Sequence, residues 1–349
     1  MFPAFRSNSS AIGFCILLIV FLSLPLVANW IGHPSREQAY AGIPGAAGPV
    51  GVHVREMFDS SSDADVLILG SSLARKGIDK SMLEQALSAH LGRPAHVEVL
   101  ALNWQGLDLQ YFLLRDYLAN HKAGLIVWNL PVPGSRNLEP HIEAFHWVRF
   151  GEYSDSLAGL ALRYRLALYA DMVLGTPREL LSHIRPNLLS EEELKVQLRP
   201  EALGYYGAPF VPESSDSEAV PPFELSYEDP PYSLIRAAGK PLNPYEDHFA
   251  ERIVALARET HTTIAFLHIP IDSEQGMDYM PERGDWAETL HMNAPMIGAP
   301  SAAIFKDIGS SRFHNFYLDQ HFNINGSQLF TRSVIPAILK AYDARSSYE

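Results

Sequence analysis

Two short stretches carry the residue types of nucleophilic catalysis. The first is Asp65-Val66-Leu67-Ile68-Leu69-Gly70-Ser71-Ser72-Leu73-Ala74-Arg75. An apolar run ends in small residues and two hydroxyls, and a helical pattern follows. A strand-to-helix turn of this kind leaves backbone N–H groups free at the helix start. It also lifts a serine out of the sheet, the geometry a serine nucleophile needs. The second stretch is Asp319-Gln320-His321. In an extended segment, residues i and i+2 project to one side. The carboxylate would then orient the imidazole and stabilise its charged form, leaving the ring as base for a serine. Each stretch also has a plainer reading. Ser71 and Ser72 fit a pair of helix N-cap residues, and His321 fits an exposed loop histidine beside a helix-capping acid.

The surrounding pattern is α/β. Val66–Leu69 reads as a buried strand, Asp79–Leu91 as a helix, His96–Leu102 as a strand, Leu107–His121 as a helix, and Gly124–Trp128 as a third strand. Short apolar runs without alternation belong to strands covered on both faces. Strands alternating with helices predict a parallel sheet with crossover helices. Residues 131–243 break the alternation and read as a largely helical insertion, with helical pieces at 156–174 and 177–184 and a polar, Pro-rich loop at 211–231. The alternation resumes with a helix at Pro244–His261 and a fourth strand at Thr262–Ile269. Residues 270–312 read as loop. A terminal helix is expected at Ile324–Tyr342, with a kink at Pro336.

The N-terminus is of another kind. Residues 11–31 are almost all apolar and uncharged, long enough for one membrane-spanning helix, after a short N-terminal segment of residues 1–10. An uncleaved signal anchor is the leading reading. A signal peptide cleaved near Leu26-Val27-Ala28 is the alternative, and a buried helix of a soluble protein is the third. Residues 32–62 are rich in Gly, Pro, Ala and Ser and read as a linker. The formal net charge of −13, with no basic cluster, argues against nucleic acid and anionic membrane surfaces as partners. Cys15 is the one cysteine, so no internal disulfide is possible. The histidines lack zinc-site spacing and no Gly-rich nucleotide fingerprint follows a strand, so neither metal nor cofactor is expected.

The chain order, a serine after the first strand and an acid and histidine just before the last helix, resembles the SGNH (GDSL-like) hydrolase superfamily. Gly70-Ser71-Ser72-Leu73 is similar to its G-D-S-L block, with Ser72 at the nucleophile position and Ser71 replacing the usual Asp. Gly106, in Ala101-Leu102-Asn103-Trp104-Gln105-Gly106-Leu107, matches the glycine after the second strand. Asn129 sits where the family places its oxyanion asparagine, although the G-x-N-D block itself is absent. His321-Phe322-Asn323-Ile324-Asn325-Gly326 is similar to the histidine block of the exported, membrane-anchored branches. The family usually has two residues between acid and histidine. Here Leu318 holds that acid position and Asp319 lies one step closer, a spacing that occurs in alginate O-acetylation proteins of the superfamily. The resemblance covers residues 63–130 and 244–343.

It implies a three-layer sandwich around a parallel sheet, of SGNH or flavodoxin-like type, spanning residues 63–349 with the insertion. It implies a triad of Ser72, His321 and Asp319, and an oxyanion hole from Ser72, Gly106 and Asn129. Ser71, Arg75 and His268 would line the substrate; His268 fits a core or loop histidine equally. His141, His146 and Trp147 would form a sugar platform or pack within the insertion. The architecture is similar to exported partners of membrane-bound O-acyltransferases, such as alginate acetylation and teichoic-acid D-alanyl transfer proteins. The expectation is therefore an envelope-anchored serine O-acyltransferase acetylating an exported polysaccharide, single-pass in a bacterial inner membrane with its body in the periplasm. A carbohydrate or lipid esterase with the same triad is one alternative. A catalytically silent module that binds polysaccharide or a membrane complex is another.

Overall fold

The computed structural model describes residues 7–31, 56–102, 106–129, 234–236, 244–282, 294–306, 308, 313–318 and 320–345, with isolated positions between 159 and 173. Its centre is a five-stranded parallel sheet. The strands are β1 (Ala64–Ser71), β2 (Val97–Leu102), β3 (Ala123–Asn129), β5 (Thr263–Leu267) and β7 (Met296–Ile297), in the order β2-β1-β3-β5-β7. A separate parallel pair joins β4 (Leu234–Arg236) to β6 (Met280–Glu282). An antiparallel hairpin joins β8 (Tyr317–Leu318) to β9 (His321–Phe322). The helices are α1 (Asn8–Ile31), α2 (Ser72–Gly77), α3 (Lys80–Leu91), α4 (Leu107–Leu118), α5 (Pro244–Glu259), α6 (Ser301–Ile304) and α7 (Ile324–Ala344).

Alternate side chains of the sheet feed two cores, as the period of two requires. Leu67, Leu69, Ile126, Trp128, Ile264 and Phe266 pack with α4 and α5 on one face. Val66, Ile68, Leu125, Val127, Ala265 and Leu267 pack with α2, α3 and α7 on the other. This is the expected helix–sheet–helix layering. Burial of Trp128, Phe112, Phe249 and Phe330 is essentially complete, and each such side chain contributes about 1.5–3 kcal/mol. Local signals set the helix ends. Asp79 caps α3 by accepting from the Met82 N–H at 3.0 Å, and α3 stops at Gly92, whose φ is 64°. Pro244 opens α5 at a position where a missing N–H costs nothing.

Several expectations need correction. Residues 270–312 are not simply loop: they contain β6, β7 and α6, and β7 supplies the fifth strand of the sheet. Two residues are too few to show a period. Ser301–Ile304 is similarly short. The terminal helix is present as expected, α7 being one element that contains Pro336. The packed body begins before residue 63, because Met57 is fully buried and its carbonyl accepts from Asn120 Nδ2 at 3.3 Å. Apart from β4 and the isolated positions, the insertion at 131–243, with His141, His146 and Trp147, lies outside the described residues.

Helix α1 has 24 residues. Its apolar side chains face outward, Leu17 being 71% and Ile19 65% exposed, so it is not a core helix of this body. Among the described residues no helix is long and apolar enough to cross a membrane.

Candidate active site

The C-terminal ends of β1, β3 and β5 lie level, which is where open α/β sheets place their chemistry. Register pairs Leu69 with Trp128 and Asn129 with Leu267. Gly70 must be glycine for space: a β-carbon there would stand 2.7 Å from Ala74 Cβ and 2.9 Å from Asn129 Cβ. The missing side chain lets α2 leave β1 in a tight turn beside β3.

The turn separates its two hydroxyls. Ser71 ends β1 and caps α2, its Oγ accepting from the Leu73 N–H at 3.4 Å. Ser72 opens α2, and its Oγ lies 2.8 Å from His321 Nε2. The capping reading thus holds for Ser71, while Ser72 is the serine brought to the histidine. With Nε2 unprotonated, the hydroxyl donates to it and the ring can accept its proton.

The histidine is held by the packing beneath it. The hairpin pairs Leu318 with His321 and Tyr317 with Phe322. Residues 317–318 and 321–322 are thus the two arms of a hairpin. Asp319 itself lies outside the described residues. Phe322 stacks near Tyr317 and Phe330, with ring centroids 4.7 and 5.5 Å away. Phe305 joins Phe313 and Phe316 at 4.8 and 5.4 Å. Asn323 then caps α7: its Oδ1 accepts from the Gly326 N–H at 3.0 Å, and its own N–H donates to the Phe316 carbonyl at 3.0 Å. The position of His321 is thus fixed by an aromatic core on one side and a helix cap on the other. Thr331 of α7 ties the layer to the turn between α2 and α3, its Oγ1 accepting from the Asp79 N–H at 2.8 Å and donating to the Gly77 carbonyl at 3.4 Å.

Asn129 is buried at the end of β3. Its Nδ2 donates to the Leu267 carbonyl at 3.2 Å, and this carbonyl fixes which amide atom is nitrogen. Among the described residues Oδ1 has no hydrogen-bond partner, and it is buried. A second N–H remains on Nδ2 for a ligand. Gly106 caps α4 with no side-chain bond; a β-carbon there would lie 2.7 Å from Asp108 Oδ1. Asp108 is buried and accepts from the Tyr245 hydroxyl at 3.1 Å. Burial, with Asp108 alongside, pushes the Tyr245 phenol well above its usual range.

Arg75 lies one turn along α2 from Ser72, on the same helix face. Burial draws its guanidinium below its ordinary value, though an arginine stays charged at neutral pH. His268 follows β5 and is buried, with Nε2 3.0 Å from Glu274 Oε2. Glu274 was not singled out by sequence, nor was Leu267, whose backbone orients Asn129. Neither role leaves a local signal, because each comes from a neighbouring strand or loop. No known family model matches the chain, and neither a curated protein nor a solved structure matches it.

Proposed function

We propose that this chain is a serine-dependent acyl-transfer enzyme of SGNH type, with Ser72 as nucleophile and His321 as base. One observation carries the reading: Ser72 Oγ lies 2.8 Å from His321 Nε2 at the C-terminal end of a parallel sheet. His321 takes the hydroxyl proton as Ser72 Oγ bonds to an acyl carbonyl carbon. The carbonyl oxygen becomes an oxyanion, and the Ser72 and Gly106 N–H groups and the Asn129 amide donate to it. The intermediate collapses, the donor's alkoxide leaves with the proton from His321, and an acyl-serine remains. A second hydroxyl, deprotonated by His321, attacks this ester and releases Ser72. Asp319 is the carboxylate assigned to orient the imidazole.

The acceptor is assigned as a hydroxyl of an exported polysaccharide and the acyl group as acetyl, with residues 11–31 as a single-pass inner-membrane anchor and the body in the periplasm. A membrane-bound O-acyltransferase is the proposed acyl source. The exposed apolar face of α1 supports a chain held at a bilayer.

The test is acetyl transfer by the purified chain from a chromogenic acetyl ester to an oligosaccharide, read by mass spectrometry. Acetylated oligosaccharide is expected from wild type and none from Ser72→Ala. Free acetate without acylated sugar would move the assignment to an esterase. Neither product, with no labelling by a fluorophosphonate probe, would overturn acyl transfer and leave a binding module.

A further inference from the structure

At the start of β2, at the end of the sheet away from Ser72, three ligand-type side chains converge. Glu56 precedes β1, His96 precedes β2 and Glu98 lies within it. Each offers a ligand atom within 4.8 Å of the other two. Glu98 is 2% exposed, so its charge is held almost out of water. Glu98 Oε2 lies 3.9 Å from His96 Nε2 and 3.4 Å from Lys80 Nζ. The other imidazole nitrogen, His96 Nδ1, lies 3.6 Å from Glu84 Oε1, which the Val97 N–H holds at 3.0 Å. An imidazole with a fixed carboxylate on one nitrogen and oxygen ligands near the other is arranged as metal-binding histidines are.

Tyr117 supplies a second observation. It is 1% exposed and, among the described residues, its hydroxyl has no hydrogen-bond partner. The adjacent Ala64 N–H is given to the Lys122 carbonyl at 2.9 Å. Burial pushes the phenol upward, and the nearby Glu98, Asp63 and Glu56 carboxylates push it further. A buried, unpartnered O–H beside carboxylates is a donor waiting for an acceptor, such as a metal-bound water.

We propose that Glu56, His96 and Glu98 bind a divalent transition-metal ion of the zinc type, tying the segment before β1 to the edge strand of the sheet. One imidazole nitrogen and two carboxylate oxygens form a set that zinc accepts, with water completing a tetrahedron. Lys80 is the ion's competitor. Its side chain is 39% exposed and flexible, so it neutralises Glu98 without the ion and swings into solvent when the ion binds. The site is far along the sheet from Ser72, so its role is structural.

The experiment uses the full-length chain, stripped with chelator and titrated with zinc chloride by calorimetry, with cobalt(II) as a spectroscopic substitute. The expected result is one ion per chain at micromolar or tighter affinity, and visible cobalt absorption of a four- or five-coordinate site. Glu56→Gln and His96→Gln should each weaken binding at least tenfold, Glu84→Gln by about tenfold through the imidazole. Lys80→Gln should tighten binding, an outcome that a merely structural ion pair does not produce. Glu56 is partly exposed, so Glu56→Gln keeps the fold if His96→Gln does not. Absence of saturable binding, or binding unchanged in both Glu56→Gln and His96→Gln, overturns the proposal. Fluorophosphonate labelling at Ser72 stays at the wild-type rate in Glu56→Gln whichever result is found, which separates this test from that of the acyl-transfer reading.

Discussion

The Ser72 hydroxyl and the His321 imidazole meet at 2.8 Å across 249 residues of chain. One belongs to the first turn after β1, the other to the hairpin before α7, and the packing of α7 against α2 and α3 brings them together.

The pair should act as a unit. Ser72→Ala is expected to abolish fluorophosphonate labelling. His321→Ala should slow labelling and ester hydrolysis about 10³-fold or more. The double variant should be no slower than the slower single one, because removing either partner already disables the other. Equal labelling of wild type and Ser72→Ala would remove Ser72 as the nucleophile.

Gly70 is constrained by space. Gly70→Ala would set a β-carbon 2.9 Å from Asn129 Cβ and 2.7 Å from Ala74 Cβ. The variant should lose about 1–3 kcal/mol of stability and displace Asn129 from the turn. Urea unfolding and labelling kinetics, measured together, check this. A wild-type midpoint with wild-type labelling would show that the turn relaxes without consequence.

Asn129 should act on rate rather than affinity. Its amide is anchored by the Leu267 carbonyl at 3.2 Å, with a second N–H to offer. Asn129→Ala is expected to lower kcat by about 10²–10³ with little change in KM, as for loss of one oxyanion donor. A change confined to KM would assign Asn129 to substrate binding instead.

Asp65 predicts how stability depends on pH. Burial alone would raise its carboxyl, but Arg93, the His96 N–H and the Tyr342 hydroxyl outweigh this and hold it below the ordinary value. The His96 and Tyr342 bonds are each 3.0 Å. A carboxyl depressed in the folded state stabilises the fold above its unfolded value and loses that contribution as pH falls through the folded one. Asp65→Asn should therefore cost about 1–2 kcal/mol at neutral pH. The difference should shrink below roughly pH 4 and vanish once Asp65 is protonated in both states. Chemical denaturation at several pH values measures it; a constant difference into acid would rule out the charge as its source.

The sequence by itself determined the strands that are long and apolar. Val66–Leu69, Ile126–Trp128 and Ile264–Leu267 are buried on both faces, and that burial is written in their composition. It also placed the ends of α3, because Asp79 and Gly92 act on backbone groups within a few residues of themselves. Tertiary structure alone decided the rest. The strand β7 is two residues long and exists because β5 offers it an open edge. Ser71 and Ser72 are chemically alike in sequence; the fold gives one to the Leu73 N–H and the other to His321. The same holds for Glu56, His96 and Glu98, which lack any recognisable ligand spacing and converge only because the segment before β1 folds back onto β2. Local patterns encode what a segment buries, whereas the meeting of distant side chains depends on how the layers stack.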